Sequence, residues 1–310
     1  MKGKVMASDV ASYLGEQLIG KDIPLYGCKS ASAASDFTIA YISNLVFKEN
    51  MAVHALYLIR PKKTLPASSA CSYVRAKNPR LAYARIIQQF FPQESSIGVA
   101  ASATIGTNVN LGADVSIGES CVIADNVSIG SGTKLHAGVV IGYGTQIGCN
   151  CIIRAGSVIG EDGFEYQRDE NGCPIRIRHF GRVIMQDGVE IGAKNTIARG
   201  TTEDTVIHAD VKTDDQVHIA HNCKIGKNTI IAACAEISGS VTIGTGCWLA
   251  PNCSIINGVH IGDNVKIGIG TVIVGNVTDG TVMMGLDGLP LRQLVATKKR
   301  MGWGPRRTGG

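Results

Sequence analysis

Aromatic side chains are scarce in this sequence, at 5% of 310 residues, although 45% of the residues are hydrophobic. Since globular cores ordinarily rely on Phe, Tyr and Trp for bulk, the interior of this protein has to be filled in another way. Long apolar runs are missing too, because no stretch approaches the ~18 residues that a membrane-spanning helix needs. Residues 1–6 are not followed by the apolar stretch of a secretory signal, so we expect a cytoplasmic protein.

Three other patterns are absent. The net charge of +5 is too small to indicate nucleic-acid binding, which requires a basic stripe. The 38 glycines do not recur at every third position, which excludes collagen. No two of the ten cysteines stand in the C-x-x-C spacing of a zinc ribbon. We therefore expect free thiols in a reducing compartment, and no bound metal.

What the sequence does contain is a six-residue period. Stepping by six from Val99 gives an aliphatic residue at every position up to Ile159, and a second series runs from Ile207 to Ile273 with only Thr213 departing. The residue after each aliphatic position is usually small: Gly106, Gly112, Gly118, Ala124, Gly130, Gly142, Gly148 and Gly160.

A period of six fits neither a helix, with its period of 3.6, nor an isolated strand, with its period of two. Three hexapeptides that each place one aliphatic side chain inside would close a triangular coil of about 18 residues, which is the hexapeptide form of the parallel β-helix. We therefore predict a mostly-β chain whose core is a column of Ile, Leu and Val.

The period also divides the chain. Residues 1–94 lack it and are predicted to form a small α/β domain, with helical patterns at 10–14 and 81–91 and a buried strand at 55–59. Residues 95–280 form the β-helix, which a charged loop at 161–182 interrupts. Residues 281–310 form a C-terminal tail, with one short basic helix within 289–300.

Stacking of the coils brings a histidine and a glycine together. Positions about 18 residues apart lie one above another, so Gly239 stacks on His221. His221 follows the inward Ile219 by two residues and can therefore point out of the coil. An imidazole beside a backbone amide suits acyl transfer, because the imidazole takes a proton from the nucleophile and the amide stabilises the oxyanion. Asp214, on the preceding face, could hold the imidazole tautomer.

Other interpretations of these residues stay open. A histidine at a coil corner can be an ordinary solvated residue, while Gly239 and Asp214 can be turn formers. A metal site could group His218, His221 and His260. However, residues three apart on an extended chain point to opposite faces, so His218 and His221 could not share one ion within a subunit.

Residues 214–222, DDQVHIAHN, closely resemble the active-site segment of the UDP-3-O-acylglucosamine N-acyltransferase family, which adds the second 3-hydroxyacyl chain in lipid A biosynthesis. The likeness continues in order through residues 78–85, 156–164, 180–183 and 189–193. It implies a left-handed β-helix, an exception to the right-handed crossover rule. It also implies a homotrimer with active sites between subunits.

The resemblance implies roles for particular residues. His221 matches the general base, Asp214 the acid that orients it, and Gly239 the glycine whose amide faces the thioester carbonyl. The acyl donor would be a thioester on the phosphopantetheine of acyl carrier protein, with no bound cofactor. The basic residues 298–300 and 306–307 could steer docking of this acidic partner or simply be a solvated tail.

In the first domain, Tyr41, Asn44 and Phe47 match a pattern that binds the uracil of the UDP-sugar substrate. Without the resemblance, Tyr41 and Phe47 would be taken as core residues. The chain also departs from the family: Ala198 stands where Asp is usual, and His218 where Gln is common.

Two other functions remain possible. One is a different hexapeptide sugar acyltransferase or acetyltransferase that uses acetyl-CoA, although a separate nucleotide-binding domain argues against it. The other is a non-catalytic relative, against which the presence of both Asp214 and His221 argues.

Overall fold

The computed structural model of the protein describes residues 4–42, 54–65, 71–92 and 98–285, together with residues 293, 297 and 300. The chain divides into two compact units, Met1–Ser95 and Ser96–Gly310. Where we predict a tail helix, Gln293, Thr297 and Arg300 are helical. None of the helices in the described ranges combines the length and the apolar character that crossing a membrane requires.

The first unit contains a five-stranded sheet and two helices, α1 (Ala7–Leu14) and α2 (Pro79–Phe90). Both helices cover one face of the sheet, because Val10 and Ile86 belong to the same buried cluster as Leu58. The strands of the sheet, in spatial order, are Leu18–Ile19, Ser72–Arg75, Leu56–Ile59, Thr38–Ile42 and Gly27–Cys28. A separate two-stranded pairing joins Val5–Met6 to Pro24–Leu25.

The two helices and the buried strand predicted for this unit are present with different bounds, since the first helix begins at Ala7 rather than at residue 10 and the strand begins at Leu56 rather than at residue 55. The second helix begins two residues earlier than its apolar spacing indicates. The cause is its N-terminus: the Asn78 side chain accepts a hydrogen bond from the Leu81 N–H at 3.1 Å, and Pro79 occupies the first helical position.

The second unit is a parallel β-solenoid with three faces of short strands. The first face consists of Gly98–Val99, Ser116–Ile117, Lys134–Leu135, Ile152–Ile153, Glu190–Ile191, Lys212–Thr213, Ile230–Ile231, Trp248–Leu249, Lys266–Ile267 and Val282–Met283. The second face consists of Thr104–Ile105, Val122–Ile123, Val140–Ile141, Val158–Ile159, Thr196–Ile197, His218–Ile219, Glu236–Ile237, Ser254–Ile255 and Val272–Ile273. The third face consists of Asn110–Leu111, Ser128–Ile129, Gln146–Ile147, Val183–Met185, Thr205–Ile207, Lys224–Ile225, Thr242–Ile243 and His260–Ile261.

The six-residue period explains the interior of the solenoid. Its aliphatic residues end the strands and point inward, where Ile141, Ile219 and Ile237 are 0% exposed. Parallel pairing sets Ile219 directly beside Ile237 in the next coil. Each such buried side chain contributes about 1.5–3 kcal/mol. The predicted parallel β-helix of hexapeptide repeats is confirmed, and the left-handed winding stays a prediction.

Thr213 interrupts the aliphatic column because its hydroxyl forms hydrogen bonds inside the core. Its hydroxyl donates to Oδ1 of Asn195 at 2.9 Å and accepts from the Gly192 N–H at 3.1 Å. Asn195 is 1% exposed, and its Nδ2 donates to the carbonyl of Asp214 at 2.9 Å. A buried amide is therefore satisfied from within the core, as buried polar groups require.

The inserted loop leaves and rejoins the solenoid at a single corner. It follows Val158–Ile159 of the second face, forms a hairpin of Tyr166–Arg168 with Pro174–Arg176, and returns at Val183–Met185 of the third face. We call this edge, along which second-face strands pass to third-face strands, the loop corner.

Candidate active site

The loop corner gathers two of the predicted catalytic residues. His221 follows the second-face strand His218–Ile219, and Gly239 follows the next strand of that face, Glu236–Ile237. Asp214 follows the first-face strand Lys212–Thr213 and therefore lies at the preceding corner of the coil.

His221 and Gly239 are in direct contact. A Cβ built on Gly239 would lie 2.6 Å from Cε1 of His221 and 2.7 Å from its Nε2. The backbone of Gly239 is outside the left-handed region, so the missing side chain provides space rather than backbone freedom. Nε2 and Cε1 of the imidazole therefore lie against the bare peptide of the next coil.

Backbone hydrogen bonds hold these two coils together around the site. The His221 carbonyl accepts from the Ser240 N–H at 2.9 Å, and the Gly239 carbonyl accepts from the Gly258 N–H at 2.9 Å. Gly239 is a buried residue, and its N–H donates to no residue in the described ranges. A backbone donor is thus available beside the imidazole.

The inserted loop covers the other side of His221. The side chain of His221 is 13% exposed, and Nδ1 lies 3.6 Å from Oε2 of Glu165 in the loop. Both atoms are buried, and neither forms a hydrogen bond with any described residue. The charged loop therefore places a carboxylate beside Nδ1, which is also the ring nitrogen farther from a Cβ on Gly239, at 3.2 Å against 2.7 Å for Nε2.

A second histidine of the loop packs against the first. The His179 ring meets the His221 ring edge-to-face, with centroids 5.6 Å apart at 82°. His179 is 7% exposed, and both its ring nitrogens are buried without a partner in the described structure. Burial lowers the pKa of His179 below its ordinary value, an effect that Asp162 opposes. Burial therefore favours the neutral form of His179 over the charged form.

The loop backbone approaches the solenoid closely at Gly163. A Cβ on this glycine would lie 3.1 Å from Nε2 of His179 and 3.2 Å from both Cδ2 of His221 and Cβ of Ala198. Ala198, where the resemblance leads us to expect Asp, is 2% exposed and forms part of this wall.

Asp214 has other partners. Its Oδ1 accepts from the Asp215 N–H at 2.8 Å, and its carbonyl accepts from Asn195. Within the described part of one chain it makes neither a hydrogen bond nor an ion pair with His221. Seven residues along a coil amount to a different corner, so the acidic group that contacts the imidazole comes from the loop instead.

The histidines that a metal interpretation would group are not together. Nε2 of His218 lies 3.8 Å from Oε1 of Glu236 on the second face, whereas His260 lies in a strand of the third face. Among the described residues, the group that could hold a cation is Glu165, His179 and His221, whose ligand atoms lie within 4.8 Å of one another. Two imidazoles and a carboxylate form a ligand set that zinc accepts.

In the first unit, Tyr41 lies in the strand Thr38–Ile42 and is half-buried. Its ring packs on that of Tyr83 with centroids 5.1 Å apart, and the Tyr83 hydroxyl donates to the Lys29 carbonyl at 3.2 Å. Asn44 and Phe47, the other predicted uracil-binding residues, lie outside the described residues.

Sequence reasoning missed Glu165 and His179. The signal in the sequence is the end of the six-residue period, since the charged loop begins two residues after Ile159. Ile159 ends a strand of the same face as Ile219. A loop that leaves there emerges at the corner that carries His221.

Comparisons with known proteins agree with the solenoid fold, and the relatives that they name are acyltransferases. Residues 126–161 and 204–239 match the family model described as bacterial transferase hexapeptide (six repeats). A UDP-3-O-acylglucosamine N-acyltransferase of Helicobacter hepaticus is 42% identical over 254 residues, covering 77% of this chain and 78% of the relative. That of Campylobacter lari is 44% identical over 250 residues, covering 76% of this chain and 78% of the relative. The solved structure of LpxA from Acinetobacter baumannii has 26% identity and a TM-score of 0.55, covering 67% of this chain and 78% of that chain.

Proposed function

Since the chain belongs to the family of UDP-3-O-acylglucosamine N-acyltransferases, we propose that it transfers a 3-hydroxyacyl chain to the 2-amine of UDP-3-O-acylglucosamine, a step of lipid A biosynthesis. The acyl donor in this proposal is the thioester on the phosphopantetheine of acyl carrier protein, and no resident metal or cofactor takes part. The observation that carries the proposal is the contact between His221 and Gly239 at the loop corner.

His221 is the general base. The 2-amine cannot attack as an ammonium ion, so a proton has to leave its nitrogen before or during addition to the thioester carbonyl. Nε2 of His221 lies beside the Gly239 peptide. A thioester carbonyl held against that peptide would therefore bring the attacking amine within reach of Nε2.

Gly239 stabilises the intermediate. Attack forms the C–N bond and places negative charge on the carbonyl oxygen, which the Gly239 N–H can receive as a hydrogen-bond donor. Collapse reforms the carbonyl and breaks the C–S bond. The imidazolium of His221 then returns its proton to the departing thiolate, so the products are the amide and the free phosphopantetheine thiol.

We assign the uracil of the sugar nucleotide to Tyr41, Asn44 and Phe47 in the first unit. Aromatic faces can sandwich a pyrimidine while an amide reads its edge. The packing of Tyr41 on Tyr83 supports an aromatic surface at this place.

The proposal includes a cytoplasmic homotrimer with active sites between subunits. Since Asp214 lies at another corner of its own chain, an orienting role for it would require a neighbouring subunit. The basic residues 298–300 and 306–307 would receive the acidic carrier protein.

An acyl-transfer assay tests the proposal. The protein is incubated with 3-hydroxyacyl carrier protein and UDP-3-O-acylglucosamine, and the diacylated product is quantified by mass spectrometry. We expect transfer by the wild type, a loss of about 100-fold or more in His221→Ala, and near-normal transfer by the matched control His260→Ala.

Three outcomes would contradict parts of the proposal. Equal activity of the wild type and His221→Ala would remove the assigned base. Activity with acetyl-CoA alone would indicate a different hexapeptide sugar acyltransferase. Inactivity with both donors would indicate a non-catalytic relative.

A further inference from the structure

We infer that Glu165, in the inserted loop, is the positioning residue of His221: its carboxylate accepts the Nδ1–H and leaves Nε2 free to act as the base. This inference rests on the proposed function and adds a residue to its site. It assigns to the loop the role that the resemblance gives to Asp214.

The first support is the pairing of two buried atoms. Oε2 of Glu165 and Nδ1 of His221 lie 3.6 Å apart, and neither has a hydrogen-bond partner among the described residues. A buried polar atom without a partner costs about 1–3 kcal/mol. A small rotation of either side chain toward the other would form the missing hydrogen bond. Catalytic hydrogen bonds tighten in this way once substrate binds.

The second support is the orientation of the imidazole. A Cβ on Gly239 would lie 2.7 Å from Nε2 and 3.2 Å from Nδ1, and of the two nitrogens it is Nδ1 that lies beside the Glu165 carboxylate of the loop. For Nε2 to accept a proton, the neutral ring must carry its hydrogen on Nδ1. That hydrogen needs an acceptor on the loop side, and Glu165 is the acceptor there. When His221 becomes an imidazolium, the same carboxylate stabilises the charge.

The third support is the charge balance of the loop. Nη2 of Arg176 pairs with Oδ2 of Asp162 at 2.9 Å, and burial lowers the pKa of His179 below its ordinary value. No described lysine or arginine forms an ion pair with Glu165. The Glu165 carboxylate is therefore free to pair with the charge that develops on His221.

The test compares loop and coil carboxylates. We expect Glu165→Ala to lower kcat by about 10- to 100-fold, because the imidazole loses its tautomer and charge partner, with KM within about twofold. Added formate should restore part of the kcat of Glu165→Ala, and Glu165→Asp should retain more activity than Glu165→Ala. The matched control is Glu170→Ala, because Glu170 is exposed in the same loop.

A second measurement does not depend on turnover. Nitrogen-15 NMR of histidine-labelled protein, with the His221 signal identified by its loss in His221→Asn, reports which ring nitrogen carries the hydrogen. We expect the Nδ1–H tautomer in the wild type and in Glu170→Ala, and a smaller Nδ1–H fraction in Glu165→Ala.

Two results would overturn the inference. One is an unchanged tautomer in Glu165→Ala together with kcat within twofold of the control. The other is loss of wild-type activity on chelation with recovery on adding Zn²⁺, which would make Glu165 a metal ligand. An inactive wild type with the expected tautomer change would instead contradict the proposed function while leaving the positioning role intact.

Discussion

Gly239 and His221 lie so close together that the glycine has no room for a side chain, since a Cβ there would be 2.7 Å from Nε2 of His221. The contact joins adjacent coils of the solenoid, and the Ser240 N–H fixes it by donating to the His221 carbonyl at 2.9 Å. The imidazole is therefore held between the bare peptide of Gly239 and the inserted loop.

Replacing Gly239 by Ala should displace the imidazole. We expect kcat to fall by about 100-fold, because a shift of about 1 Å in a catalytic group can cost that much. Gly275 is the matched control, because a Cβ there meets nothing within 4 Å and its backbone is outside the left-handed region. Steady-state kinetics and thermal melting of both variants check the prediction. Wild-type kinetics in Gly239→Ala would contradict the steric argument.

Acidification should destabilise the wild type through His179. Burial lowers the pKa of His179 from 6.5 in the folded protein. As the pH falls, the unfolded chain therefore takes up a proton at this histidine before the folded protein does. The stability that His179 provides is thus complete above about pH 6.5 and is lost as the pH falls below it.

The measurement is Tm between about pH 7.5 and pH 5.5. We expect Tm to fall more in the wild type than in His179→Gln. The groups facing His179, namely Asp162, Glu165, Arg176 and His221, are the same in both proteins. Parallel Tm curves would show that His179 is not the group responsible.

Thr213→Val should destabilise the protein although it completes the aliphatic column. The substitution removes the donor to Oδ1 of Asn195 and the acceptor of the Gly192 N–H. Leaving such buried groups unpaired costs about 1–3 kcal/mol. Urea unfolding measures the change, with the exposed Thr196→Val as control. Equal or greater stability of Thr213→Val would mean that the Asn195 network contributes nothing.

Tyr41→Leu should weaken binding of the sugar nucleotide. Loss of a stacking aromatic costs about 1–3 kcal/mol per base, so we expect KM for the UDP-sugar to rise by roughly tenfold while kcat changes little. Tyr26→Leu, which alters a tyrosine that is 68% exposed, is the control. An unchanged KM would remove Tyr41 from the uracil site.

The sequence predicts the solenoid well because each coil obeys the same local rule. An aliphatic residue every six positions requires inward strand ends such as Ile219 and Ile237, and their register sets Gly239 over His221. The rule does not explain Thr213. A polar residue is present there because its hydroxyl donates to Asn195, and the six-residue period gives no sign of that buried partner.

The sequence by itself thus determined the three-sided coil and the meeting of one histidine with one glycine, because regular spacing converts directly into stacking. Only the tertiary structure showed that, within one chain, Glu165 lies beside that histidine. Residues 161–182 break the period, so the place of Glu165 and His179 depends on packing between distant parts of the chain. The same geometry puts Asp214 at another corner, despite its nearness in sequence.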